Sequence, residues 1–65
     1  MELTIRDHQI DIEEICIMHV NESTLIIKYS MGQEVISFES EEHAVKVMDS
    51  LSKLNEVAIE NLGLL

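Results

Sequence analysis

The chain has one cysteine, two glycines, four basic residues and no apolar run approaching the roughly 18 residues of a membrane span. Each scarcity narrows the reading. A lone cysteine, Cys16, cannot close an intrachain disulfide, so a reducing, cytosolic setting is expected. With Gly32 and Gly63 as the only glycines, there is no glycine-rich phosphate loop. Four Lys and Arg side chains cannot supply the clustered positive charge that neutralises a phosphate backbone, so direct binding of DNA or RNA is not expected. No arginine-and-hydrophobic leader opens the sequence, which implies a soluble protein with no membrane address.

Acid and aliphatic residues are what the chain has in quantity. Thirteen Asp and Glu against four basic residues give a formal charge of −9 on 65 residues. Such a field repels nucleic acid and anionic lipid and draws basic surfaces. A hydrophobic fraction of 46% is too high for a disordered acidic tail, so the chain is expected to fold. Its length allows one domain, close to the lower limit for independent folding, where a disulfide, a metal or a second subunit often assists.

Local patterning then predicts an α+β fold over residues 1–65, with sheet in 1–39 and helix in 40–63. Glu2 to Arg6 alternates polar and apolar residues as a half-buried strand does, and Asp7-His8-Gln9 breaks the alternation with a turn. Ile10 and Ile12 resume it around Asp11. The run Ile15-Cys16-Ile17-Met18-His19-Val20 is apolar on both faces apart from His19, which predicts a central strand; a helix over residues 11 to 19 competes, against a β-branched composition. Thr24 to Ser30 places Leu25, Ile27 and Tyr29 on one face and Ile26, Lys28 and Ser30 on the other, and Gln33 to Glu39 returns with Ile36 and Phe38 pointing one way and Val35, Ser37 and Glu39 the other. Between them Gly32 supplies the positive φ of a tight hairpin. The result is an antiparallel meander of three or four strands.

Ser40 followed by Glu41-Glu42 is a helix start: a hydroxyl to cap a backbone N–H, and carboxylates at the positive end of the dipole. Ala44, Val47, Met48, Leu51, Leu54, Ala58 and Leu62 form one apolar stripe. Glu42 with Lys46 and Asp49 with Lys53 stand one turn apart on the solvent side, and Gly63 is the expected C-cap. A helix this long spans roughly 33 Å, against about 20 Å for a six-residue strand. It therefore either breaks near Asn55 or runs past the sheet. Running past leaves Leu54, Val57, Ile59, Leu62, Leu64 and Leu65 as an apolar surface for a homodimer or a partner.

The residues that could carry chemistry are poorly arranged for it. Cys16 and His19 differ by an odd number, so on a strand they face opposite ways and cannot share an ion, and His8 and His43 lie in separate segments. No metal site and no cofactor are expected. Cys16 reads as an inert thiol in an apolar strand. Glu13-Glu14 and Glu41-Glu42 are sequence neighbours that diverge in space, without apolar surroundings to raise a pKa. No catalytic residue is assigned, and the chain is not expected to be an enzyme. Met18 and Met48 fit core positions, which leaves Met31 exposed at a hairpin tip.

The remaining constellation is acidic. Glu34 and Glu39 flank the second hairpin strand, and Glu41 and Glu42 open the helix, so four carboxylates gather at one end of the fold; Asp7, Asp11, Glu13 and Glu14 form a second group. Thr24-Leu25-Ile26-Ile27-Lys28, then Gly32, Glu34-Val35-Ile36-Ser37 and Glu39-Ser40-Glu41 before a striped helix, resembles the central hairpin and helix of small acidic phage-encoded anti-CRISPR proteins. The resemblance spans roughly half the chain, and the turn Ser30-Met31-Gly32-Gln33 lacks an acidic tip. It implies an inhibitor that occupies a DNA-receiving groove of an RNA-guided nuclease, with Glu34, Glu39, Glu41 and Glu42 as phosphate surrogates.

Two functional expectations follow. One is a non-enzymatic phage or mobile-element protein that binds a basic surface of a nucleic-acid-binding host protein in the bacterial cytoplasm and modulates it, by nucleic-acid mimicry. The other is a structural or assembly module of a phage or prophage that dimerises through its C-terminal helix.

Overall fold

The computed structural model describes residues 1–61, with side chains as far as Glu56. Strands β1 (Glu2–Ile5) and β2 (His8–Asp11) form a hairpin of their own; a 3₁₀ turn (Ile12–Glu14) leads into β3 (Ile15–Asn21), β4 (Thr24–Tyr29) and β5 (Gly32–Ser37), and one helix, α1 (Glu41–Asn61), follows. The last three strands make an antiparallel sheet in the order β3-β4-β5. This is the expected α+β meander with one C-terminal helix on its face, accompanied by a separate N-terminal hairpin.

That hairpin turns one residue pair earlier than the sequence pattern indicates. Ile5 pairs with His8 across Arg6 and Asp7, whose φ values of 47° and 70° are both left-handed. Two successive positive φ angles give a turn whose twist matches the strands it joins. Asp tolerates this conformation through local hydrogen bonding, whereas Arg has no such help.

The expectation that residues 15 to 20 form the central strand is corrected: β3 lies at an edge and β4 is central. The apolar character of β3 on both faces does not reflect double burial, since Ile17 is 59% exposed. Register slips between Ile15 and Ile17, so Cys16 sits in a bulge, a common device for blunting a free sheet edge. Cys16 is accordingly exposed rather than a core thiol.

The core forms where the inward face of the sheet meets α1 and the N-terminal hairpin. Leu25, Ile27 and Ile36 from the sheet, Ala44 and Leu51 from α1, and Ile10 and Ile12 from the N-terminal segment are all buried, and Phe38 joins them. Met18, Val47, Met48 and Leu54 pack around this centre, as the strand alternation and helix stripe require. Glu42 and Lys46 meet at 3.2 Å, whereas Asp49 and Lys53 form no ion pair among the described residues.

The helix does not break near Asn55. It continues to Asn61, and Asn55 instead donates its side-chain N–H to the Ile12 carbonyl at 2.8 Å, tying α1 to the 3₁₀ turn. The long axis of the molecule, 37 Å, reflects the helix outrunning the strands.

Candidate functional site

The junction between β5 and α1 is set by local rules. Ser40 caps the helix, its Oγ accepting from the His43 N–H at 3.1 Å, and its carbonyl accepts from the Ala44 N–H at 3.2 Å. This places Glu41 and Glu42 in the first turn, both exposed, where a negative charge meets the positive end of the helix dipole.

Glu39, just before the cap, is differently occupied. Both its carboxylate oxygens accept from Arg6, the Oε2 contact being 2.6 Å, and the same oxygen lies 2.9 Å from His43 Nδ1. Hydrogen bonds from Arg6, from the Glu39 backbone N–H and from His43 together lower its pKa to about 2. The Arg6 guanidinium also stands 5.1 Å from the centre of the Phe38 ring, and that ring tilts against His43 at 4.9 Å. Arg6, Phe38, Glu39 and His43 thus form one cluster that fastens the β1–β2 turn to the helix start. The sequence pattern places Phe38 on a strand face with Ile36 and Arg6 within a strand, and brings neither to this cluster; the only signal is that Arg6 is the sole arginine.

Glu34 faces inward, opposite Ile27, and is bonded to His8 Nδ1 at 2.6 Å with each side chain about one-third exposed. Of the four carboxylates expected to form an acidic surface, Glu34 and Glu39 therefore hold internal cations or hydrogen-bond donors. Glu42 shares Lys46 in an exposed pair of the kind that contributes little, and Glu41 faces solvent. In the N-terminal group, Asp11 caps the 3₁₀ turn by accepting from the Glu13 N–H at 3.3 Å.

The expected apolar interface lies only partly within view. Leu54 is half-buried against the core and shares a shallow groove with Leu3, Ile5, Val47 and Leu51. Val57 and Ile59 sit on α1; their side chains, and Leu62, Leu64 and Leu65 entirely, lie outside the described residues.

A surface not anticipated from the sequence is the outward face of β3–β5. From the strand register, Ile26 at the centre of β4 lies beside His19 of β3 and Val35 of β5. Lys28 lies beside Ile17 and Gln33, and Thr24 beside Asn21 and Ser37. None of these nine positions carries a carboxylate in a chain that has thirteen, and Lys28 is their only fully charged residue. Ile17 and Val35 are 59% and 47% exposed. The signal was available: Ile17, Ile26 and Val35 each occupy the face opposite the core residues of their strand.

His8, His43 and Cys16 are dispersed among these features, and no cluster of three metal-ligating side chains occurs among the described residues. No described helix is long and apolar enough to cross a membrane. Met31 is 95% exposed at its hairpin tip, beside an open groove rimmed by Glu2, Asp11, Glu14 and Tyr29. No protein-family model, no characterised protein and no solved structure matches the chain.

Proposed function

We propose that the chain is a small acidic, non-enzymatic interaction module of a phage or other mobile element, which binds the basic surface of a nucleic-acid-binding host protein in the cytoplasm and modulates it. The observation that supports this reading is the segregation of charge: none of the nine outward-facing positions of β3–β5 carries a carboxylate, while the carboxylates of the described residues lie in the N-terminal segment, in the β3–β4 turn, on the inward face of β5, at the junction and on the helix. An acidic surface interrupted by one uncharged face attracts a basic groove and orients the approach, which evenly mixed charge does not. Within the acidic junction the recognition role falls to Glu41 and Glu42, because Glu34 and Glu39 are bonded to His8, Arg6 and His43. Mimicry of a phosphate array by these residues, as in an inhibitor of an RNA-guided nuclease, is the most specific form of the proposal.

The test is capture of host-lysate proteins on the immobilised full chain at low salt, with the E41Q/E42Q variant as control. This pair is chosen because E34Q or E39Q would also release internal partners. Nucleic-acid-binding proteins should be retained, should be displaced by duplex DNA, and should elute steeply as salt rises through about 0.1 M, where exposed charges are screened beyond about 10 Å. Equal recovery by E41Q/E42Q, or indifference to salt, refutes the acidic-surface reading.

The second reading, a phage assembly module dimerising through its C-terminal helix, draws support from α1 continuing to Asn61, about 9 Å beyond the Asn55 anchor. Its contacts would be apolar and would not weaken with salt.

A further inference from the structure

Among the described residues nothing covers the outward face of β3–β5, whereas the inward face is buried under α1 and the N-terminal hairpin. We propose that it is a self-association surface on which a second copy of the chain packs, sheet against sheet. This goes beyond the acidic-surface reading and is independent of it.

Charge selects the occupant. Two copies of a −9 chain that approach through the helix or the hairpin set carboxylate against carboxylate. Approach through the β3–β5 faces sets only Lys28, neutral polar groups and the apolar group of Ile17, Ile26 and Val35 against one another. Sheets pack about 10 Å apart, and apart from Glu22 in the β3–β4 turn the described carboxylates lie behind the sheets on both sides. Their separation then exceeds the roughly 10 Å over which charges at 0.1 M salt interact.

Hydrophobicity and shape agree with that choice. Ile17 and Val35, on the two edge strands, are 59% and 47% exposed, and Ile26 lies between them on the central strand. In a two-fold arrangement the central strand meets its own copy, so Ile26 falls near the axis and the flanking residues close around it. The size of the face sets the strength. Three strands by six residues measure roughly 14 by 20 Å, well under the roughly 800 Å² per partner of a standard stable interface. The dimer is accordingly weak, with a dissociation constant on the order of 100 μM.

Sedimentation of the full chain from about 10 μM to about 1 mM, at low and high salt, tests the proposal. The expected result is a monomer–dimer equilibrium that tightens several-fold at high salt as residual like-charge repulsion is screened. This is opposite to the salt response expected for a basic partner, so each idea can fail alone. I17K/V35K should weaken dimerisation at least tenfold. K28V should strengthen a monomer–dimer equilibrium several-fold, without higher species, by removing the only charge desolvated at the contact. Circular dichroism shows whether K28V and I17K/V35K keep the fold. A chain that stays monomeric up to about 1 mM, or a dimer abolished by L62K/L65K yet untouched by I17K/V35K, overturns the proposal.

Discussion

Arg6 and Glu39, thirty-three positions apart, are joined by hydrogen bonds from one guanidinium nitrogen to both carboxylate oxygens. Through this pair the turn of the N-terminal hairpin is held to the start of the helix; the Arg6 guanidinium lies over the Phe38 ring, which tilts against His43, itself in contact with Glu39. The contact closes the fold between two segments that share no backbone ladder.

A pH signature follows from Glu39. Its folded pKa is depressed from the usual 4.5 to about 2, with Arg6 the largest cause. A depressed carboxyl stabilises the fold fully above its unfolded pKa and loses that contribution as pH falls through the folded value. Wild type should therefore exceed E39Q in stability at pH 7, with the gap closing between about pH 4.5 and pH 2. Urea unfolding of both proteins across that range measures the gap; one that persists at pH 2 would show that the Arg6 contact is not its source.

Asn55 supplies a second prediction. Its side chain reaches the Ile12 carbonyl at 2.8 Å in a half-buried position, and an intramolecular hydrogen bond of this kind contributes about 1 kcal/mol net. N55A should cost about that amount and should raise amide exchange in the second half of α1 before the first. Uniform acceleration along the helix would mean that Asn55 does not anchor it locally.

The two hairpin turns respond oppositely to substitution. Gly32 has φ 142°, with open space where a Cβ would stand, so G32A costs conformational strain, about 1–3 kcal/mol, and no clash. Asp7, at φ 70°, is in a conformation that glycine enters more readily, so D7G should be neutral to stabilising by about 0.5 kcal/mol. Thermal melts of both variants check the signs.

Tyr29 carries the only buried side-chain polar atom without a partner among the described residues, its hydroxyl. Removing an unsatisfied buried group relieves a desolvation cost, so Y29F should match or exceed wild type by up to about 1 kcal/mol. Burial, with Glu34 and Asp11 nearby, also raises the phenol pKa above 10. Ultraviolet titration should place its midpoint above that of free tyrosine, and because the folded value is the higher one, stability should be lost as pH rises through it.

Much of the architecture was legible residue by residue. The alternation of Leu25, Ile27 and Ile36, the Ser40 cap, the glycine at 32 and the stripe from Ala44 to Leu54 all act within a few positions, where strand period, helix period and backbone freedom decide the outcome. Of the acidic site, the exposure of Glu41 and Glu42 followed from their place in a first helical turn. That Glu34 and Glu39 are bonded internally did not, because His8 and Arg6 are brought to them only when the hairpin folds over the sheet edge.

The amino-acid sequence alone determined the fold class, the order of strands and helix, and the net charge, since these depend on local period and composition. Tertiary structure decided which strand lies at the edge, which carboxylates are bonded, and that the outer sheet face is free of acid. Those properties depend on pairs such as Arg6 and Glu39 or Asn55 and Ile12, whose separation along the chain leaves no periodic trace, and on which face of each strand the helix covers.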